Sequence, residues 1–204
     1  LHVDATQAVG KIPVSFEGVD TMSLTAHKFY GLNGIGLLIK RRNLALEPLI
    51  HGGESTTIYR SGTPTVALAS SLACALDLAV TDLPGRVDHV AKLNAELRAA
   101  LSTYPLVRIN SPDHAIPHVL NLSVRNVKGT VFQRELDAKG VCVSVKSACS
   151  SDGLPSRAVF AVSRDRRNAL SSWRISLSHL TTEDEIKAFL QAFDVCYREL
   201  TAVH

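Results

Sequence analysis

Ser23-Leu24-Thr25-Ala26-His27-Lys28-Phe29-Tyr30-Gly31 sets a lysine directly after a histidine, between an apolar run ending near Leu24 and a turn rich in glycine (Gly31, Gly34, Gly36). A lysine amine becomes a useful nucleophile when neighbouring cations or a dry pocket lower its pKa. Thr25 and His27 add donors suited to an anion such as a phosphate. The stretch therefore fits a site where an amine captures an aldehyde. It also fits an exposed basic turn, and the rest of the chain has to decide between the two.

With 204 residues, 46% of them apolar, the chain is long enough for one large domain or two small ones with a real core. A formal net charge of +3 is too slight to argue for a nucleic-acid partner. No apolar run is long and uninterrupted enough to span a bilayer, and no signal-peptide pattern opens the chain. The cysteines at 74, 142, 149 and 196 lack zinc-finger spacing and do not suggest a disulfide framework, so no metal site is expected and a cytoplasmic, reducing location is. The chain opens at Leu1 on what reads as a strand in progress, and its one methionine is the internal Met22. It reads as a piece of a longer protein that begins inside a domain.

Three apolar segments, Leu1 to Ala5, Thr21 to Thr25 and Gly36 to Lys40, read as strands carrying polar residues at their ends. That pattern suits an α/β sheet with ligands at its carboxyl edge. Thr65 to Val80 is apolar almost all round and predicts a buried helix. Asp82-Leu83-Pro84-Gly85 marks a boundary, which divides the chain into residues 1–84 and 85–204. Beyond it, Val87, Val90, Leu93, Leu97 and Leu101 recur at helical spacing. Residues 119–124, 141–145 and 173–177 read as strands, with a short helix from Thr130 to Lys139 stopped by Gly140. Thr182 and Glu185 form a capping-box signature ahead of a final amphipathic helix. The second half is thus an α+β unit of its own.

Asp4 with Gln7, the Thr25-Ala26-His27-Lys28 run, Arg60-Ser61-Gly62-Thr63, Ser147-Ala148-Cys149-Ser150-Ser151 and Trp173-Arg174-Ile175-Ser176-Leu177 together resemble the cysteine desulfurases of the NifS/IscS type, in the class V aminotransferase group of pyridoxal-phosphate enzymes. The resemblance implies fold type I, with residues 1–84 as the last part of the cofactor-binding large domain and 85–204 as the small domain. It implies that Lys28 joins the aldehyde of pyridoxal 5'-phosphate, that Asp4 pairs with the pyridinium nitrogen and that Gln7 meets the ring oxygen. Thr25 and His27 match phosphate-binding positions, threonine standing where serine is usual. Thr63 matches a phosphate contact made across a homodimer, and a helix N-cap is its alternative role.

Cys149 matches the cysteine that takes sulfur from the substrate as a persulfide, on a loop whose small polar neighbours suit movement. A thiolate is the reactive form, and Lys146 is a candidate for favouring it. Cys74, Cys142 and Cys196 read instead as buried structural cysteines. Arg174 matches the arginine that grips the substrate carboxylate through two hydrogen bonds. Ser178 and His179 depart from the usual Gly and Arg that follow it. His51 reads as structural.

The implied activity is conversion of L-cysteine to L-alanine, with sulfur passed to an acceptor or scaffold protein for iron–sulfur clusters, thio-cofactors or tRNA. The family's amino-terminal half, with its ring-stacking histidine, has no counterpart here, so the fragment alone is expected to be inactive. The alternatives are selenocysteine lyase or another class V lyase, and a truncated non-catalytic dimerisation or docking module.

Overall fold

The computed structural model describes residues 1–53, 57–145 and 155–202. It divides into two compact units, Leu1–Gly85 and Arg86–His204.

In the first unit, β1 (His2–Asp4) pairs in parallel with β2 (Thr21–Thr25), which pairs antiparallel with β3 (Gly36–Lys40). Alternation gives this small sheet two different faces. Val3, Met22, Leu24, Leu37 and Ile39 lie on one, packed in a core with Ala5, Val9, Val19 and Phe29 and with Leu72, Ala75 and Ala79 of α1 (Val66–Thr81). His2, Asp4, Thr21, Ser23 and Thr25 lie on the other, where the His2 ring bonds Thr21 Oγ1 at 2.8 Å and Ser23 Oγ at 3.3 Å.

The expectation that α1 is buried all round is corrected. Val66 is 70% exposed and Leu78 59%, because a single three-stranded sheet offers one apolar face and α1 spends only one stripe on it. Among the described residues nothing covers the outer stripe. Cys74 faces outward on this helix, against its reading as buried.

The second unit contains all of α2 (Leu83–Leu101) beyond its first turn, and α2 opens at the Pro-Gly pair rather than after it. Proline is tolerated there because a helix's first turn leaves its N–H groups unpaired in any case. β4 (Val107–Ile109), β5 (Val119–Val124) and β6 (Ser172–Ser176) form an antiparallel sheet in that order. Register sets Leu120 beside Ile175 and Leu122 beside Trp173 on one face. That face packs with Val90, Leu93, Leu97 and Leu101 of α2, with Phe132 and Leu136 of α3 (Gly129–Asp137), and with Phe189 and Phe193 of α6 (Glu183–Thr201). Trp173 stacks on Phe132 with ring centroids 5.2 Å apart. The other face carries Arg108, Asn121, Ser123, Ser172, Arg174 and Ser176, with α5 (Arg166–Ser171) bonded to it through Ser123 Oγ and the Asn168 carbonyl at 3.1 Å. The short α4 (Arg157–Ser163) precedes α5.

Residues 141–145 do not form the expected strand. Only Ser144 bridges to Arg174, because the Val143 carbonyl accepts instead from Gln133 Nε2 (3.0 Å) and the Val141 N–H donates to the Leu136 carbonyl. Cys142 there is exposed, also against expectation, while Cys196 is buried as expected and burial pushes its thiol pKa up.

The capping box holds as drawn from sequence: Thr182 Oγ1 accepts from the Glu185 N–H (3.2 Å) and Glu185 Oε2 accepts from the Thr182 N–H (2.8 Å). Thr182→Ala is expected to cost about 1 kcal/mol of stability. Leu97→Ala, fully inside the core, should cost about 2–5 kcal/mol. Urea denaturation of the two variants should rank them in that order.

Candidate active site

The parallel pairing of β1 and β2 puts their carboxyl ends side by side, and both chains turn at that edge. After β1, the Asp4 carboxylate accepts from the Thr6 N–H at 2.9 Å, and Gln7 and Lys11 follow in the turn. After β2, Ala26–Lys28 forms one 3₁₀ turn. Residues three apart on such a turn share a face. Ala26 (0% exposed) and Phe29 (4%) take the inner face, so His27 and Lys28 are left facing solvent. Burial of Phe29 alone is worth about 1.5–3 kcal/mol, enough to hold this arrangement.

The turn is closed by backbone. The Ala26 carbonyl accepts from both Phe29 N (3.0 Å) and Gly31 N (2.9 Å). A Cβ at Gly31 would lie 2.7 Å from Ala26 Cβ and 3.0 Å from Ala75 Cβ, so helix α1 presses directly on the loop that carries Lys28.

Hydrogen bonding settles the proton positions on this edge. Thr25 Oγ1 donates to the Ile35 carbonyl at 2.8 Å. Its contact with His27 Nδ1 at 3.1 Å is therefore one in which the histidine donates. Neutral His27 then carries its proton on Nδ1, and its Nε2 becomes a donor only in the imidazolium form. Thr25 thus braces the turn with its hydroxyl proton, while His27 is the side chain of the two that faces solvent.

Asp4 is held below the ordinary aspartate value of 3.8 by the Thr6 side chain first, then by the Thr6 N–H, with the nearby His2 adding to the effect. It is thus a carboxylate wherever the protein is folded near neutral pH. Lys11 was not singled out from sequence. Its Nζ donates to Gln7 Oε1 at 3.1 Å, which leaves the amide NH₂ as the end without a partner among the described residues. Burial, and then the charge of Lys28, push the Lys11 amine below its usual pKa, so two cations lie near one another on this edge. A basic residue four positions after a turn glutamine was the available signal.

Asp4, Gln7, Thr25, His27 and Lys28 are therefore gathered at one sheet edge. Thr63 and His51 are exposed in the first unit, and Thr63 makes no hydrogen bond among the described residues. The N-cap of α1 is Thr65, without a side-chain cap bond, so Thr63 does not take that alternative role. Arg174 lies in the second unit on the polar face of β6. Its Nε donates to Ser176 Oγ (3.1 Å), and its backbone is fixed by Ser144 (2.7 and 3.1 Å). It pairs with no carboxylate among the described residues. Cys149 and Lys146 lie outside the described residues. No cluster of metal-ligating side chains occurs among the described residues, and no single helix there is long and apolar enough to cross a membrane.

Residues 1–189 match the family model described as aminotransferase class-V. The chain belongs to that family. Class-V relatives similar to it include the cysteine desulfurase IscS of Dictyoglomus turgidum (34% identical, 99% of this chain, 52% of the relative). They also include the IscS-like cysteine desulfurase of Mycobacterium tuberculosis (35% identical, 94% of this chain, 50% of the relative). Among solved structures, a NifS-like protein superposes with a TM-score of 0.84 at 35% identity, covering 95% of this chain and 51% of that one. The NifS-like protein from Rickettsia africae gives 0.85 at 30% identity, with 96% and 53% covered. The fold is therefore that of the type I pyridoxal-phosphate enzymes, and the chain spans about half the length of the class-V relatives it matches.

Two outcomes check this geometry. Gly31→Ala should cost about 1–3 kcal/mol through overpacking, read as a lowered urea midpoint. The Asp4 carboxyl, followed by carbon NMR, should titrate below 3.8 and move up towards that value in Thr6→Ala. Because the folded pKa is the lower one, the stability Asp4 contributes is present above the unfolded value and is lost as pH falls through the folded one.

Proposed function

We propose that this chain carries the lysine- and cysteine-bearing half of a pyridoxal-phosphate-dependent cysteine desulfurase, which converts L-cysteine to L-alanine and leaves the sulfur on Cys149 as a persulfide. The observation that supports it most is the shared carboxyl edge of β1 and β2, where Asp4, Gln7, His27 and Lys28 stand together in a class-V chain. The donor set fits the cofactor chemically. An anionic Asp4 suits a pyridinium N–H, the Gln7 NH₂ suits a ring oxygen, and His27 and the Lys11–Lys28 pair suit a phosphate-bearing anion.

Bound pyridoxal phosphate supplies an aldehyde for an amine and an electron sink for bonds at the amino acid's α-carbon. This chain's own residues do the rest. Lys28 would hold the aldehyde through its amine and would accept and return protons. Asp4 would supply the negative charge for a pyridinium nitrogen. Arg174, whose Nη groups have no carboxylate among the described residues, grips the substrate carboxylate in a two-bond fork. The Cys149 thiolate attacks the substrate sulfur: a sulfur–sulfur bond forms, the carbon–sulfur bond breaks, and its electron pair stays with the carbon that is protonated to give alanine. Thr63 contributes to a phosphate site in a homodimer, and the persulfide passes to an acceptor or scaffold protein in the cytoplasm. Turnover belongs to this chain joined to the half of its relatives that it does not span, and the 204 residues alone are inactive.

In the complete gene product, Cys149→Ser should lower alanine formation from L-cysteine at least about 100-fold, a loss of roughly 2.7 kcal/mol in transition-state stabilisation, while the visible cofactor band stays. Lys28→Ala should remove both. A Cys149→Ser enzyme that still forms alanine at the parent rate contradicts the reading. Full activity on selenocysteine in that variant, with none on cysteine, would reassign the site to a selenocysteine lyase.

A further inference from the structure

The second unit holds a cleft of about 410 Å³ that the desulfurase chemistry does not use. One wall is the start of β4 with Leu106, Val107 and Arg108. Another is the turn after β5 with Arg125, Asn126 and Lys128, and the third is α5 with Arg167, Asn168 and Leu170. Its floor is polar and already satisfied. Ser123, 2% exposed, donates to the Asn168 carbonyl at 3.1 Å and accepts from Asn110 Nδ2 at 2.8 Å. Asn168 Nδ2 donates in turn to Asn110 Oδ1 at 2.9 Å. A hydrogen-bonded floor of this kind is rigid and does not need a ligand to complete it.

The charge of the rim is the unusual feature. Arg108, Arg125, Lys128 and Arg167 face one carboxylate, Asp165. Asp165 Oδ1 is committed to capping α5, accepting from Arg167 N (2.9 Å) and Asn168 N (3.0 Å), and its Oδ2 lies 3.8 Å from Arg108. Arg125, Lys128 and Arg167 have no carboxylate partner among the described residues. The rim is thus +3, the same as the whole chain's formal net charge, so outside the cleft the molecule is balanced. Cations held close together around a concave wall repel one another, and an anion of matching charge relieves that repulsion. Asn126 holds a φ of 67° in the turn that brings Arg125 and Lys128 to the same rim.

We infer that this cleft binds a small phosphorylated ligand of nucleoside-diphosphate type, its phosphates against Arg125, Lys128 and Arg167 and its ring against Leu106 and Leu170. Two guanidinium forks and an ammonium match several phosphate oxygens at once. The volume falls at the lower end of the range for small-molecule sites, roughly 300–1,000 Å³. That suits one nucleotide better than a nucleic-acid strand, which needs a groove that runs on. The apolar wall beside the cations is what a bare anion would not require. The inference is independent of the desulfurase reading, since every residue in it lies in the second unit and none is a residue to which that reading gives a role.

Titration calorimetry of the complete gene product with ADP, inorganic pyrophosphate and a short single-stranded RNA tests it. ADP should bind one per chain, weaken as salt rises, and lose about tenfold in affinity for each of Arg125→Met and Lys128→Met. Lys40→Met, in the first unit, and Lys28→Ala should leave ADP affinity unchanged, which separates this result from the fate of the active-site reading. Circular dichroism melts should match the parent, both substitutions being at exposed positions. Failure of ADP to saturate, or equal ADP affinity in the parent and both variants, overturns the inference. Pyrophosphate binding as tightly as ADP would leave the apolar wall without a role and overturn it too. So would RNA that binds through Arg125 and Lys128 without being displaced by ADP.

Discussion

Burial of Ala26 and Phe29 on the inner face of a single 3₁₀ turn is the constraint on which the candidate site depends. Two apolar side chains three positions apart dictate that the two residues between them point out. Those two are His27 and Lys28. The turn cannot relax away from the sheet, because Gly31 touches Ala26 on one side and Ala75 of α1 on the other with no room for a Cβ. The Lys28 amine therefore owes its position to packing, and the polar contacts refine what packing has set. Thr25 spends its hydroxyl proton on Ile35 and thereby fixes which nitrogen of His27 carries a proton.

Both sheets use the same device. Each has one face that is apolar and packed and one that is polar, so chemistry collects on the second without disturbing the first. In the first unit that face and its carboxyl edge carry Asp4, Thr25 and the turns beyond them. In the second it carries Arg174 and, further along, Arg108 and the Ser123–Asn168 floor of the basic cleft. Trp173 and Arg174 show the principle at its shortest: adjacent residues, one fully inside the core and the other half-exposed on the polar face.

Most of this was legible where a residue's role follows from its near neighbours. The apolar segments 1–5, 21–25 and 36–40 and the run at 119–124 marked the strands, and Thr182 with Glu185 marked a helix start, because those signals are local. What escaped depends on partners far off in sequence. Val141 to Val145 has strand composition, yet Gln133 and Leu136 take backbone groups that a ladder would need. The composition of α1 cannot say that only one of its faces finds a sheet. Lys11 gains its meaning from the charge of Lys28, which only the parallel pairing of β1 with β2 brings near. The helices α4 and α5 are only seven and six residues long, too short to show an apolar helical period, though Asp165 was there as a cap.

Borohydride reduction of the complete gene product after loading with pyridoxal phosphate, followed by peptide mapping, bears most directly on the role given to the turn. The account predicts the added pyridoxyl mass on Lys28 alone. The same mass on Lys11, its neighbouring amine, or on neither lysine would contradict it.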